Sequence, residues 1–140
     1  ASELRNGAVL DMLCSSQVDW VILAGFLLRI PEAMVGHFKG RMVNIHPALL
    51  PDFGGKGMYG MHVHQAVKAA GCVESGMTVH WVTSAYDEGD VIFQASCALE
   101  PEDEPEQIAQ KVAQLEHRYY ARAIDALIQD AVAQTSLQHG

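Results

Sequence analysis

Asn44 and His46 are the first residues whose types and spacing suggest chemistry. They stand two apart after the apolar pair Met42-Val43, and in an extended strand residues at that spacing share a face. Pro47 follows; it cannot donate to a sheet ladder, so the strand is expected to end there. Proline also biases the backbone of the preceding His46 towards the extended region. An amide and an imidazole side by side at a strand's carboxyl end, where open α/β sheets tend to place ligands, make a candidate site for polarising a carbonyl. The bland alternative is a structural histidine. Asp87, in Tyr86-Asp87-Glu88-Gly89-Asp90, reads on spacing alone as a turn aspartate, since turns favour that residue for conformational reasons.

Other candidate groups fall away on spacing. His46, His62, His64 and His80 suggest a metal site, but His62 and His64 point to different faces of a helix and no Cys or second His pair has ligand spacing; no metal is expected. Ser15, Ser16, Ser75 and Ser84 lack a nucleophile-elbow context. Cys97 alternates with inward residues and reads as a core thiol. Glu116 flanks the apolar stripe of a helix, where a solvated glutamate is the default.

The elements that must position Asn44 and His46 follow from periodicity. Residues near 7 to 16 predict a helix with Val9, Leu10, Leu13 and Cys14 on one side. Asp19 to Gly25 is a continuous apolar run, as expected for a strand buried on both faces. Pro31 suits a first helical turn, and that helix runs through Ala33, Met34, Val35 and Phe38 to about Gly40. Strand 41–46 completes a βαβ crossover, so the sheet is at least partly parallel. The glycine-dense stretch Asp52 to Gly60 does not fit a phosphate-cradling loop, because Lys56 precedes Gly57 rather than Ser or Thr; it is either a surface loop or a mobile lid beside the site. His62 to Ala70 predicts a short helix with Val63, Ala66, Val67 and Ala70 inward. Glu74 to Thr83 and Val91 to Leu99 predict two strands of an antiparallel hairpin joined through 84–90. Acidic residues before Pro105 favour a helix start. Ile108, Val112, Leu115, Tyr119, Ala123 and Leu127 then mark a long amphipathic helix, with a frayed tail expected after about Ala133.

Composition narrows the function classes. The 49% hydrophobic and 19% charged content is that of an ordinary globular domain. A net charge of −8 argues against a nucleic-acid or anionic-membrane surface. No apolar run approaches the roughly 20 residues of a membrane-spanning helix, and no signal peptide is visible at the first residues. Three cysteines without CxxC spacing suggest a reduced, cytoplasmic protein.

The stretch Asn44-Ile45-His46-Pro47-Ala48-Leu49-Leu50-Pro51 resembles the signature of the formyltetrahydrofolate-dependent formyltransferases. Three further blocks resemble that family in the same order: Leu23-Ala24-Gly25-Phe26, then Thr78-Val79-His80-Trp81-Val82 to Asp87-Glu88-Gly89, then Gln114-Leu115-Glu116-His117. The resemblance covers about residues 18–130. Proline at 47 is similar to the members that formylate glycinamide ribonucleotide, whereas the formyltetrahydrofolate hydrolases and the tRNA-directed members carry other residues there. The acidic charge also disfavours a tRNA substrate.

The resemblance implies an α/β fold: a mostly parallel, Rossmann-like sheet flanked by helices, with an antiparallel hairpin and a long C-terminal helix. It implies formyl transfer from 10-formyltetrahydrofolate, as co-substrate, to the amine of glycinamide ribonucleotide in purine synthesis, without metal. Asn44 would hold the formyl oxygen, His46 would be the general acid, and Asp87 would raise the His46 pKa and help arrange the proton path. Leu27, Leu28, Arg29 and Ile30, with Asn44 and the turn Thr83, Ser84, Ala85, Tyr86 and Asp87, would line the folate site. Ala113, Gln114, Leu115 and Glu116 would border the ribonucleotide. The family's N-terminal βα unit, with its phosphate-binding Gly/Ser/Asn loop, has no match here. The expectation is therefore one domain, 1–140, corresponding to the folate-and-catalysis part. Formyltetrahydrofolate hydrolysis and a non-catalytic folate-binding fragment stay open as alternatives.

Overall fold

A computed structural model describes residues 7–24, 30–83 and 89–139, with side chains up to residue 130. Four strands form one open sheet in the order β1-β2-β3-β4: β1 Val21–Ala24, β2 Met42–His46, β3 Glu74–Trp81 and β4 Val91–Ala98. Among the described residues four helices accompany them: α1 Ala8–Ser15, α2 Glu32–His37, α3 Met61–Ala69 and α4 Pro105–His139.

The α/β class, flanking helices, hairpin and long last helix are as expected. Strands β1 and β2 are parallel, as the crossover through α2 requires. The sheet is not mostly parallel across the described strands, because β3 pairs antiparallel with β2 and β4 antiparallel with β3. The 47–73 connection, which carries α3, is long enough for a return in either direction, and packing settles it with β3 antiparallel along β2.

The two faces of β2 have different neighbours. Val43 and Ile45 join Met77 and Val79 of β3 in a cluster covered by Leu115, Tyr119, Ile124 and Leu127 of α4. On the other face Met42 packs with Ile30, Met34 and Phe38, and Val9, Leu10 and Leu13 of α1 close that cluster. Cys14, expected on the same side of α1, is exposed. A third cluster joins Val67 of α3 to Ile108 and Val112 of α4, with Phe53, Cys72, Cys97 and Leu99 packed against it. This is where the Cys97 thiol sits, as expected.

Two burial expectations fail. Strand β1 is not buried on both faces: Val21 and Leu23 pack towards α1 and α2, but Ile22 and Ala24 are exposed. Its place at the sheet edge explains this, since α4 covers β2 and β3 rather than β1. In α3, Val63 and Val67 are buried, but Ala70 is an exposed cap, and His64 is the residue that turns inward.

Helix α4 starts where charge and proline predict. The Glu104 amide donates to Gln107 Oε1 at 2.7 Å, a side chain three positions on reaching back to the cap. The backbone remains helical to His139, beyond the fraying expected after Ala133. Among the described residues no helix is long and apolar enough to cross a membrane.

Candidate active site

Strand alternation puts Asn44 and His46 on one face of β2, and sheet register decides what lies beside them. Asn44 faces His80 across the β2–β3 pair, and His46 faces Thr78. A row of polar side chains therefore crosses the sheet on the face opposite α4. His46, Thr78 and His80 are all buried.

Asn44 Nδ2 lies 3.3 Å from His80 Nε2. The other ring nitrogen, Nδ1, is 3.0 Å from the Trp81 carbonyl oxygen. A carbonyl only accepts, so Nδ1 carries a proton and the neutral ring leaves Nε2 as an acceptor for an Asn44 N–H. The carboxamide is thereby oriented: Nδ2 towards His80 and Oδ1 away from it. Oδ1 is buried and has no hydrogen-bond partner. Buried polar atoms are nearly always satisfied, so an orphan acceptor on this row marks a place where a ligand donor fits.

His46 shows the opposite tautomer. Its Nε2 donates to the Phe53 carbonyl at 2.7 Å. Phe53 has its side chain in the α3–α4 cluster and opens the glycine-dense loop, in which Gly55, Gly57 and Gly60 adopt positive φ. The loop is thus anchored beside the site at its first residues. His64 approaches from α3. Its Nδ1 is buried without a partner, and its pKa is lowered from the ordinary 6.5, first by burial and then by the charge of His46.

The remaining expected site residues divide. Leu27, Leu28, Arg29, Ser84, Ala85, Tyr86 and Asp87 lie outside the described residues. Ile30 is packed in the apolar cluster with Met34 and Phe38, and Thr83 is exposed just past β3. On α4, Ala113 and Gln114 are exposed, Leu115 packs against the sheet, and Glu116 is half-buried. Burial raises the Glu116 pKa, and burial followed by the Glu116 charge raises that of Tyr120 one turn on. Glu116 is therefore not the solvated glutamate that helix position alone suggests. No described hydrogen bond or ion pair joins it to Asn44 or His46; it lies one turn beyond Val112, which shares the cluster with Phe53.

His80, His64, Thr78, Gln94 and the Phe53 carbonyl were not singled out by motif spacing. Two sequence signals bear on His80 and Thr78: both lie in the family-like block 78–82, and their i, i+2 alternation within β3 sets both on the face opposite Met77 and Val79.

Chemically, the row offers a carboxamide with one donor edge fixed and its acceptor unpaired, next to two histidines held as specific tautomers. That is a site for a reacting group with both an oxygen to be bound and an N–H to be accepted.

The family profile described as formyl transferase matches residues 1–124. The chain is 42% identical over 129 residues to the chloroplastic phosphoribosylglycinamide formyltransferase of Arabidopsis thaliana, covering 92% of this chain and 44% of that one. Among solved structures, phosphoribosylglycinamide formyltransferase from Bacillus halodurans superposes with a TM-score of 0.83 at 33% identity, over 94% of this chain and 65% of that one. A formyltetrahydrofolate deformylase from Pseudomonas syringae superposes with a TM-score of 0.79 at 25% identity, over 89% of this chain and 40% of that one. The chain thus spans less than half the length of the curated Arabidopsis relative.

Proposed function

Because the chain belongs to the formyl transferase family, we propose that it carries the folate-and-catalysis part of an enzyme that moves a formyl group from 10-formyltetrahydrofolate to the amine of glycinamide ribonucleotide, in purine biosynthesis. The amine nitrogen adds to the formyl carbon, whose oxygen becomes an oxyanion. The proton lost by the amine passes to N10 of the folate, and the carbon–N10 bond breaks. No metal and no covalent enzyme intermediate enter this reading.

The observation that carries it is the Asn44 carboxamide. His80 takes one Nδ2–H, and the second Nδ2–H is the donor for the developing oxyanion, the arrangement that stabilises tetrahedral intermediates. Oδ1, buried and unpaired, is an acceptor for the attacking amine. His46 exchanges the proton; an imidazole titrates near neutrality and suits that task. Asp87, from the family resemblance, supports the imidazolium by opposite charge. In this proposal Leu27, Leu28, Arg29, Ile30 and the turn 83–87 line the folate, and Ala113 to Glu116 border the ribonucleotide. The unpaired thiols fit a reducing, cytoplasmic setting.

The likeness to a deformylase favours one second reading, hydrolysis of formyltetrahydrofolate. One experiment separates the two. The chain is supplied with 10-formyltetrahydrofolate, with and without glycinamide ribonucleotide, and formate and formylated ribonucleotide are both measured. Transfer requires product that depends on the ribonucleotide and is abolished in Asp87→Asn while folate still binds. Formate release that is indifferent to the ribonucleotide would establish hydrolysis instead. Near-wild-type turnover in Asp87→Asn would remove that carboxylate from the mechanism, and folate binding without turnover of either kind would leave a binding fragment.

A further inference from the structure

The segment after His46 would be expected to be loose, yet two side chains from neighbouring strands hold its backbone. Thr78 Oγ donates to the Ala48 carbonyl at 2.7 Å and accepts the Leu50 amide at 3.0 Å. It also accepts an N–H from Gln94 Nε2 at 3.0 Å. A hydroxyl has one proton and two lone pairs, so this one is saturated. Gln94 Nε2 donates again, to the Leu50 carbonyl at 2.9 Å. Two side chains thereby engage three backbone groups just past the end of β2.

Register makes this a single construction. His46, Thr78 and Gln94 are cross-strand partners on β2, β3 and β4. Between the clamped residues, Leu49 packs onto β3 at Gly76. A Cβ there would collide with the Ala95 carbonyl oxygen and stand 2.7 Å from Leu49 Cδ2. Three residues beyond Leu50, the Phe53 carbonyl accepts the Nε2–H of His46. The same row that carries the histidine thus also fixes the origin of the chain that returns to it.

We infer that Thr78 and Gln94 are positioning residues for His46: by clamping Ala48 and Leu50 they hold the Phe53 carbonyl on Nε2 and so keep a proton on that nitrogen. The proposal rests on the reading of His46 as the proton-exchanging group. Hydrogen bonds weaken steeply with distance and angle, and a displacement of about 1 Å at a reacting group can lower a rate by roughly 100-fold. A loosened carbonyl releases the tautomer and the ring angle together.

The test uses the full chain with 15N-labelled histidine. Wild type shows His46 protonated at Nε2, identified by the signal that His46→Gln removes. Thr78→Val keeps the shape and deletes the hydroxyl; the expected result is an averaged tautomer signal and kcat lower by about tenfold or more, with KM for the folate within about twofold. Thr78→Ser restores both readouts. Gln94→Met, which leaves the Thr78 hydroxyl in place, moves both in the same direction by less, and thermal melting followed by circular dichroism verifies that each variant folds. A retained Nε2–H signal in folded Thr78→Val or in folded Gln94→Met overturns the clamp, as does a Thr78→Ser variant that restores neither readout. If wild type transfers no formyl group, the formyl-transfer reading fails; the tautomer signal still decides the clamp.

Discussion

His64 supplies the most exacting test of the site's electrostatics. Its ring is buried, with Nδ1 unpartnered, and its pKa is lowered from 6.5 by burial first and by the His46 charge second. A lowered imidazole pKa means that the unfolded chain takes up a proton that the folded chain refuses. Stability is therefore full above 6.5 and is lost as pH falls below it, until the folded pKa is reached. A ring that stayed neutral in the fold throughout would cost about 1.4 kcal/mol between about pH 7.5 and about pH 5.5. Against a typical total of roughly 5–15 kcal/mol, that ceiling is measurable. Glu116 acts with the opposite sign: its raised pKa adds stability that is fully present below 4.5 and is lost as pH rises through the folded value. The comparison is therefore made in a Glu116→Gln background, with and without His64→Leu. The assay is urea denaturation at a series of pH values, followed by fluorescence of Trp20 and Trp81. The expected outcome is a stability that falls on acidification with His64 present and a flatter dependence with leucine. Parallel pH dependences in the two proteins would refute the argument.

Three further outcomes follow from particular contacts. Asn44→Asp removes the Nδ2 donor and is expected to lower kcat by roughly 100- to 1,000-fold with little change in folate affinity, measured by steady-state kinetics and by folate titration. Gly76→Ala drives a Cβ into the Ala95 carbonyl and against Leu49, and should destabilise the fold by about 1–3 kcal/mol in urea denaturation; an unchanged midpoint would contradict the close approach. Of the thiols, Cys14 is exposed and its Sγ lies 3.4 Å from His37 Nε2, whereas burial raises the Cys97 pKa. An aromatic disulfide reagent should therefore modify Cys14 well before Cys97, as read by peptide mass spectrometry.

What the sequence disclosed depended on how local the cause was. The shared face of Asn44 and His46 is a consequence of strand period, and Pro47 marks the strand's end, so both were legible in a few residues. The core stripe of α4 was legible for the same reason. The direction of β3 was not, because nothing within 47–73 dictates whether the chain returns parallel or antiparallel; that is settled by packing. With the direction unknown, the Asn44–His80 pair was invisible, although His80 lay in a recognised strand. The open face of β1 was misread because a continuous apolar run suits a strand covered on both faces, while exposure depends on which strands α4 reaches. In α3 the rule separating His62 from His64 was sound, but it does not say which of the two turns inward; contact with the sheet decides that.

The two faces of the sheet divide the work of the molecule. Against α4, Val43, Ile45, Met77 and Val79 form a continuous apolar layer, the non-directional part of stability. On the opposite face the same strands carry Asn44, His46, Thr78 and His80, with exposed Gln94 beside them on β4, and burial there is tolerable only if each polar atom is directed to a partner. Most are directed by the backbone: Trp81 fixes one histidine tautomer and Phe53 the other, and Ala48 and Leu50 engage Thr78 and Gln94. The exceptions are therefore informative. On the polar row it is Asn44 Oδ1 that is left unsatisfied, with His64 Nδ1 approaching from α3. Both belong to groups beside His46 or its neighbour on the strand; the third buried unpaired atom among the described residues, Ser75 Oγ, lies on the face of β3 shared with Met77 and Val79, away from this row. A scaffold that satisfies its other polar contacts through fixed carbonyls can keep such atoms oriented and dry, which is what preorganised stabilisation of a developing charge requires.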